Sequence, residues 1–259
     1  MIDYRKKRVL VTGASSGIGR ALVIELSKAG AHCLALARRG DKLAELQAEV
    51  AAAGHTAPQV IIADLLTDRG FGAAVAALDE ADILINNAGV GMNGRFLDAS
   101  QSDLARVFEL NFHVPVQLCR EASLRMRPKR AGGILNVASI AGIVATPFHG
   151  AYSATKAGLL NFSEGLHSEL LSDNIHVTAL CPGVTETEFF DAGGYSTESF
   201  VYRLPRKSPE SVARAGLKAL SKNKIAVVPG IQTKLLVALT KVLPSSFVTS
   251  AAGHAMSTD

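Results

Sequence analysis

The fold is decided near the N-terminus, by the stretch Val9-Leu10-Val11-Thr12-Gly13-Ala14-Ser15-Ser16-Gly17-Ile18-Gly19. Its apolar start predicts a short buried strand, its glycines predict a tight loop, and residues 21–29 predict a helix. Strand, glycine loop and helix in this order open a dinucleotide-binding fold, because the backbone there must approach a pyrophosphate closely. Three glycines near a turn can serve geometry alone, so the flanking strand and helix carry the prediction. The spacing is Gly-x-x-x-Gly-x-Gly rather than Gly-x-Gly-x-x-Gly.

The second predicted strand, residues 31–37, ends at Ala37-Arg38-Arg39. An acidic residue at this place would accept a hydrogen bond from the ribose 2′-OH of NAD, whereas an arginine can pair with the 2′-phosphate of NADP. The sequence therefore favours NADP(H). The alternative is that Arg38 and Arg39 only solvate the start of the next helix, residues 41–53, which would leave the missing carboxylate unexplained.

Two further strands end in polar residues. The third predicted strand, residues 59–63, is followed by Asp64, whose carboxylate either accepts from the adenine amino group or caps the following turn. After a helix over residues 71–78, the strand 83–85 leads into Asn86-Asn87-Ala88-Gly89. Two amides followed by two very small residues indicate backbone passing close to a ligand, with the amides locking neighbouring strands.

A long helix is predicted over residues 100–127, with Ser100 or Ser102 as its N-cap. Its inward residues are expected to be Leu104, Val107, Phe108 and Leu118. Pro115 lies four residues after Asn111 and has no N–H, so the Asn111 carbonyl loses its usual donor and must find another partner, such as water. A simple helix kink is the plainer interpretation, and both can hold.

Strand 134–137 leads to Ser139, and residues 152–171 predict a helix that places Tyr152 and Lys156 one turn apart. A cation ~4 Å from the phenol, at an effective dielectric of ~20, would favour the phenolate by ~4 kcal/mol. That would bring the phenol's pKa of ~10 into the range of proton transfer. From spacing alone, ordinary surface packing of the pair is the commoner interpretation.

Taken together, these motifs resemble the short-chain dehydrogenase/reductase family over residues 8–190. The matching motifs are Thr12-Gly13-x-x-x-Gly17-x-Gly19, Asn86-Asn87-Ala88-Gly89, Ser139 and Tyr152-x-x-x-Lys156. The resemblance implies that Tyr152 donates or accepts the proton and that Lys156 lowers its pKa and bonds the nicotinamide ribose. It also implies that Ser139 holds the substrate carbonyl, and that the backbone carbonyl of Asn111 holds a water leading protons to Lys156.

The resemblance extends to Pro182-Gly183-Val184-Thr185-Glu186-Thr187, which is similar to the family's segment contacting the nicotinamide carboxamide. The expected catalytic residues are Asn111, Ser139, Tyr152 and Lys156. The expected cofactor-binding residues are Gly13, Ser15, Ser16, Gly17, Ile18, Gly19, Arg38, Arg39, Asp64, Asn87, Ala88, Gly89, Tyr152, Lys156, Pro182, Gly183, Thr185 and Thr187. No metal is expected.

The substrate side is less determined. Residues 141–150 are expected to form part of the substrate wall, with His149 as a pocket or packing residue. Residues 189–202 contain five aromatics, Phe189, Phe190, Tyr195, Phe200 and Tyr202, and predict either a lid over an apolar substrate or packing beneath a loop. The apolar segment 231–243, flanked by Lys234 and Lys241, would cover the pocket, pack against another subunit, or rest weakly on a membrane surface.

Composition limits the classes of protein. The chain has 259 residues, 48% of them hydrophobic, with a net charge of +4. That charge is too small and dispersed for a nucleic-acid groove, and we interpret Arg5-Lys6-Lys7-Arg8 as a solvated flank. Three distant cysteines argue against a disulfide framework or a thiolate metal site and fit a reducing cytoplasm. No signal peptide is recognised, and no apolar run approaches the ~20 residues that span a bilayer.

Two further strands are predicted at residues 175–180 and 225–228. The seven predicted strands, separated by helices, indicate a single-domain α/β fold, a Rossmann-type doubly wound sheet of mostly parallel strands with helices on both faces. Within residues 1–259 we assign 1–130 mainly to cofactor binding, 131–230 to catalysis and substrate, and 231–259 to a C-terminal amphipathic segment and tail. By resemblance, a homodimer or homotetramer is expected, with the helices after Ser100 and Tyr152 as subunit contacts.

The leading functional hypothesis is an NADP(H)-dependent oxidoreductase acting on the carbonyl of an apolar or bulky ketone or oxoacyl-type small molecule. An NAD-dependent secondary-alcohol dehydrogenase would use the same residues in reverse. A protein of another class, which senses NADP without turnover, would not need all four of Asn111, Ser139, Tyr152 and Lys156.

Overall fold

A computed structural model describes residues 1–189, 206–240 and 242–256, the last three by their backbone only. Its centre is one seven-stranded sheet in the order β3-β2-β1-β4-β5-β6-β7, and every pair of neighbours is parallel. The strands are β1 (Arg8–Thr12), β2 (His32–Ala37), β3 (Gln59–Ile62), β4 (Ile83–Asn86), β5 (Gly132–Val137), β6 (Ile175–Leu180) and β7 (Ala226–Val227). The strand order reverses between β1 and β4, which is where open α/β sheets bind ligands.

Helices cover both faces of this sheet. They are α1 (Gly17–Lys28), α2 (Gly40–Ala52), α3 (Asp68–Ala77), α4 (Gln101–Phe108), α5 (Val114–Met126), α6 (Gly150–Leu170), α7 (Pro209–Ser221), α8 (Ile231–Thr240) and α9 (Ser245–Met256). Strand β1 shows the two-sided burial, since Val9 and Val11 belong to the core cluster under α1, α2 and α7, while Leu10 belongs to the cluster under α3, α5 and α6. Burial on both faces explains why the strands read as continuous apolar runs. The predicted fold class is confirmed.

The single long helix predicted over residues 100–127 is wrong in its middle. Helix α4 ends at Phe108, a π-helical turn spans Glu109–His113, and α5 continues from Val114. The π turn shifts the helical register, so Phe108 is 40% exposed instead of facing inward, and Leu110 is buried. Pro115 gives the physical reason, because it has no N–H to continue the ordinary helical pattern. The N-cap is Ser100, whose Oγ accepts from the Asp103 N–H at 3.0 Å.

The C-terminal part forms two helices where the sequence predicts one apolar segment. Helix α8 lies within the predicted residues 231–243, whereas α9 was not predicted. The predicted aromatic lid, residues 189–202, lies outside the described residues except for Phe189.

Three smaller observations concern the described part of the chain. None of its helices is long and apolar enough to cross a membrane. It contains no group of three or more His, Cys, Asp or Glu side chains that could hold a metal ion. Cys33, Cys119 and Cys181 are buried free thiols.

Candidate active site

A cleft of about 1140 Å³ lies along the carboxyl ends of the parallel strands. Of the sequence-predicted site residues, all but Gly19 and Asn111 line it. Those present are Gly13, Ser15, Ser16, Gly17, Ile18, Arg38, Arg39, Asp64, Asn87, Ala88, Gly89, Ser139, Tyr152, Lys156, Pro182, Gly183, Thr185 and Thr187. Residues up to 174 positions apart in the sequence, Gly13 and Thr187, therefore meet at this edge because the carboxyl ends of all the parallel strands lie there.

The glycine loop has the shape needed for a ligand to lie directly against its backbone. A Cβ on Gly19 would lie 2.3 Å from the Gly13 carbonyl oxygen, so only glycine fits, and Gly13 itself has φ of +66°. The side chain of Ser16, at the N-cap of α1, makes no capping bond to the first turn. The first N–H groups of this 12-residue helix therefore lie at the cleft and have no hydrogen bond to the side chain of the N-cap residue. These features fit the pyrophosphate of a dinucleotide.

Buried amides hold the loop and the central strands together. The Asn87 side chain donates to the carbonyls of Thr12 and Gly13 at 3.0 and 3.1 Å. The preceding residue, Asn86, ends β4, and its Nδ2 donates to Asn136 Oδ1 of β5 at 2.9 Å, which joins these two strands. The amides thus lock neighbouring strands, as the sequence predicts, and they fix the floor of the cleft.

Tyr152 and Lys156 are both buried in the first turns of α6. The Lys156 Nζ lies 5.8 Å from the centroid of the Tyr152 ring and donates to the Val137 carbonyl at 2.9 Å. Burial raises the pKa of Tyr152 to about 12, against a smaller lowering effect of the Ser139 hydroxyl. Burial also lowers the pKa of Lys156 to about 8.

The lowering of the pKa of Tyr152 by Lys156, which the resemblance implies, stays a prediction. In the structure, removal from water is the largest influence on both groups, and it favours the neutral form of each. At neutral pH the phenol therefore keeps its proton.

Ser139 is positioned by the turn that follows β5. Its Oγ accepts from the Ala141 N–H at 3.1 Å and so caps the short 3₁₀ turn Ile140–Gly142. A Cβ on Gly142 would lie 2.6 Å from the carbonyl carbon of Lys156, so this turn packs directly on the backbone of α6. The turn thereby places the hydroxyl of Ser139 beside the phenol of Tyr152, whose pKa it influences.

Asn111 lies behind the cleft instead of lining it. Its side chain pairs with the backbone of Val90, accepting at 2.8 Å and donating at 2.9 Å, and Nδ2 also lies 3.4 Å from Thr155 Oγ1. Thr155 in turn donates to the Tyr152 carbonyl at 2.7 Å. Asn111 therefore ties the loop after β4 to α6, while the role of its carbonyl in a proton relay stays a prediction.

Charged residues occupy the other end of the cleft. Asp64 Oδ1 accepts from the Leu66 N–H at 3.0 Å, which is the turn cap, one of the two interpretations of this residue. Its Oδ2 lies 3.8 Å from Arg38 Nη1. Arg39 contacts Ser15 Oγ at 3.3 Å and pairs with Glu188 at 2.8 Å. Arg39 thus reaches into the cleft, and Glu188 is a residue that the sequence analysis did not single out.

Apolar residues form the remaining wall. From the predicted segment 141–150, Val144 and His149 line the cleft, and burial lowers the pKa of His149. Helices α8 and α9 and the turn between them also line it, through Leu236, Leu239, Thr240, Leu243, Phe247, Val248, Ala251 and Ala252. The segment 231–243 thus lines the pocket in this structure, while its contact with another subunit or with a membrane surface stays a prediction. The contribution of α9 was missed, although its residues 247, 248, 251 and 252 have the spacing of one helix face.

Comparison with known proteins agrees with this geometry. The family model described as short chain dehydrogenase matches residues 7–194. A ketoacyl reductase, HetN, from Nostoc sp. is 32% identical over 252 residues, covering 94% of this chain and 85% of its own length. This relative thus matches nearly the whole chain.

Two solved structures superpose closely. A short-chain dehydrogenase from Sphingobium yanoikuyae in complex with NADPH has a TM-score of 0.81 and 27% identity, covering 92% of this chain and 96% of its own. A bulky-bulky ketone specific alcohol dehydrogenase from Comamonas testosteroni has a TM-score of 0.77 and 25% identity, covering 92% and 95%. The match of the family model to most of the chain, with these relatives, shows that the chain belongs to the short-chain dehydrogenase family and is an oxidoreductase.

Proposed function

We propose that this oxidoreductase uses NADP(H) and acts mainly as a reductase on the carbonyl group of an apolar or bulky ketone or oxoacyl substrate. The observation that carries the proposal is the content of one cleft: Ser139, Tyr152 and Lys156 lie in it together with Arg38 and Arg39. A hydroxyl, a buried phenol beside a lysine and two guanidinium groups in one cleft are what such a reductase would need, and this supports the proposal.

The cofactor end is supported by the charges that follow β2. This strand ends at Ala37, so no carboxylate stands where an NAD-binding strand end would carry one, and Arg38 and Arg39 come next. Both guanidinium groups and Ser15 line the cleft, as donors that suit a phosphate. The solved structure from Sphingobium yanoikuyae, which holds NADPH, supports the same choice.

The chemistry of the protein residues concerns the carbonyl oxygen and one proton. Bound NADP(H) would supply the hydride that the carbonyl carbon receives. The Ser139 and Tyr152 hydroxyls would bond the carbonyl oxygen as it gains negative charge, and Tyr152 Oη would give it a proton. With a pKa raised to about 12, the phenol carries that proton at neutral pH, which suits reduction.

Lys156 is placed to restore the proton. It is buried, anchored to the Val137 carbonyl and close to the Tyr152 ring. Because burial lowers its pKa to about 8, the side chain changes between its ammonium and amine forms close to physiological pH. The predicted water on the Asn111 carbonyl would connect Lys156 to solvent.

The substrate end is apolar on the side formed by the C-terminal helices. Leu236, Leu239 and Leu243 face the same cleft as Tyr152, and Phe189 lies with its ring centroid 5.5 Å from that of Tyr152. Such a wall favours a substrate whose bulk is hydrocarbon. The ketoacyl reductase from Nostoc sp. and the bulky-bulky ketone specific enzyme from Comamonas testosteroni are relatives with names that agree with this class.

The test is a reductase assay with purified protein, NADPH and ketones graded from small and polar to large and apolar. We expect turnover of the larger ketones, and a fall of at least about 100-fold in kcat for Tyr152→Phe, which keeps the ring but removes the proton donor. NADPH binding should be retained in this variant. Unchanged kcat in Tyr152→Phe would refute the mechanism, and cofactor binding without turnover of any ketone or alcohol would instead indicate a sensor.

A further inference from the structure

Both arginines at the adenosine end of the cleft are already next to a carboxylate. Arg38 Nη1 is 3.8 Å from Asp64 Oδ2, a loose ion pair. Arg39 Nη1 donates to Glu188 Oε2 at 2.8 Å, a charge-assisted hydrogen bond. All four side chains line the cleft, so these carboxylates lie on the path of the ligand.

Glu188 and Arg39 follow strands in opposite halves of the sheet. Glu188 belongs to the segment after β6, whereas Arg39 follows β2, and three strands separate β2 from β6. The segment is held in place by its backbone, because the Glu186 N–H donates to the Lys207 carbonyl and the Lys207 N–H donates to the Val184 carbonyl, both at 3.0 Å. The Glu188 carboxylate therefore crosses the cleft from a fixed support.

The neighbouring residue keeps this segment against the glycine loop. A Cβ on Gly17 would lie 2.7 Å from the Thr187 methyl carbon, so the segment fills the space that this glycine leaves open. Glu188 thus reaches Arg39 directly beside the loop where a dinucleotide would lie.

The donors around Glu188 are those that a 2′-phosphate would use. Arg39 presents Nη1 to Glu188, and its Nε and Nη2 lie 3.4 and 3.3 Å from Ser15 Oγ. A phosphate bound to this guanidinium and hydroxyl would bring its oxygens next to the carboxylate of Glu188. Two anionic groups at that distance repel each other, so the carboxylate must yield to a phosphate or weaken its binding.

We propose that Glu188 determines cofactor selectivity by competing with the 2′-phosphate of NADP(H) for Arg39. It also supplies, from across the cleft, the carboxylate that the end of β2 lacks, and it accepts a hydrogen bond from the ribose 2′-OH of NAD(H). This inference rests on the proposed function, because it requires that Arg39 binds the 2′-phosphate. The proposal implies that the wild-type protein binds NAD(H) more tightly than Arg38 and Arg39 alone would predict.

The experiment measures Kd for NADPH and for NADH, by fluorescence of the bound cofactor, in wild type and in Glu188→Gln. Glutamine keeps the size of the side chain and removes its charge. We expect Kd for NADPH to fall by about twofold to fivefold, the size of one exposed ion pair, and Kd for NADH to stay unchanged or rise. The gain should shrink as salt is raised, because exposed charges are screened.

The control is Glu169→Gln. Glu169 is exposed near the C-terminal end of α6, makes no ion pair within the described part of the chain and does not line the cleft. This variant makes the same change in net charge, so it should leave both Kd values within about twofold, as surface substitutions usually do. Equal effects of the two variants, or an equal change for NADPH and NADH in Glu188→Gln, would overturn the proposal.

Arg39→Ala separates this proposal from the proposed function. If Arg39→Ala weakens NADPH but not NADH while Glu188→Gln has no effect, only the competition by Glu188 is wrong. If Arg39→Ala has no effect on NADPH, the NADP(H) assignment fails as well. Thermal unfolding of each variant establishes that the compared proteins are folded.

Discussion

Replacing Lys156 by methionine should stabilise the protein while abolishing its catalysis. Lys156 is buried, and burial lowers its pKa from 10.5 to about 8. Each pKa unit corresponds to about 1.4 kcal/mol, so the folded state loses about 3 kcal/mol of stability at pH 7 by keeping this charge out of water. Methionine fills a similar volume without the charge.

One contact opposes this gain. Lys156 Nζ donates to the Val137 carbonyl at 2.9 Å, and the variant leaves that carbonyl without this donor, at a cost of about 1 kcal/mol. The net expectation at pH 7 is a stabilisation of about 2 kcal/mol, or roughly 4–8 °C in Tm for a chain of this length.

The pH dependence gives the sign of the effect. Between the folded pKa of about 8 and the unfolded value of 10.5, the unfolded chain binds more protons than the folded one. The stability contributed by this group therefore rises with pH in that window, and the advantage of Lys156→Met shrinks from pH 7 to pH 10.5.

The assay is urea unfolding of wild type and Lys156→Met at pH 7 and pH 10, alongside Lys28→Met. Lys28 is exposed and pairs with Glu25, so its replacement should change the free energy of unfolding by less than about 0.5 kcal/mol. The reasoning would be refuted if Lys156→Met were less stable than wild type at pH 7. It would also be refuted if the variant exceeded wild type in free energy of unfolding by the same amount at pH 7 and pH 10.

Two further predictions concern the glycine loop and the apolar wall. Gly19→Ala should abolish binding of both NADPH and NADH in a fluorescence titration, because the added Cβ would lie 2.3 Å from the Gly13 carbonyl oxygen. The control Gly72→Ala should leave binding intact, because no heavy atom lies within 4 Å of the added Cβ. Retained binding in Gly19→Ala would contradict the inferred fit of the loop to the cofactor. Leu243→Ala should raise KM for large apolar ketones by about threefold to thirtyfold, the value of lost methylene contacts, with KM for small ketones unchanged. Equal effects on both would show that Leu243 does not face the substrate.

The predictions that succeeded rest on local physical chemistry. A strand buried on both faces is continuously apolar, and a loop that passes within contact of another backbone needs glycine, so both leave marks in the sequence at Val9 to Gly19. The parallel sheet follows from the alternation of such strands with helices.

The predictions that failed depend on surroundings that the sequence does not contain. The spacing of Tyr152 and Lys156 does not show how deeply the two groups are buried, and burial by elements distant in the chain is the largest influence on both pKa values. Phe108 was placed inward from its spacing, whereas the π turn after it changes which residues face the core.

The sequence by itself determined the fold class, the cofactor-binding opening and the positions of Ser139, Tyr152 and Lys156, because each depends on residues close together in the chain. Only the tertiary structure decided what surrounds them. Glu188 meets Arg39 although 149 positions separate them, and α9 reaches the wall of the cleft from the end of the chain. Such contacts depend on how the sheet places distant segments side by side, and local spacing carries no record of that placement.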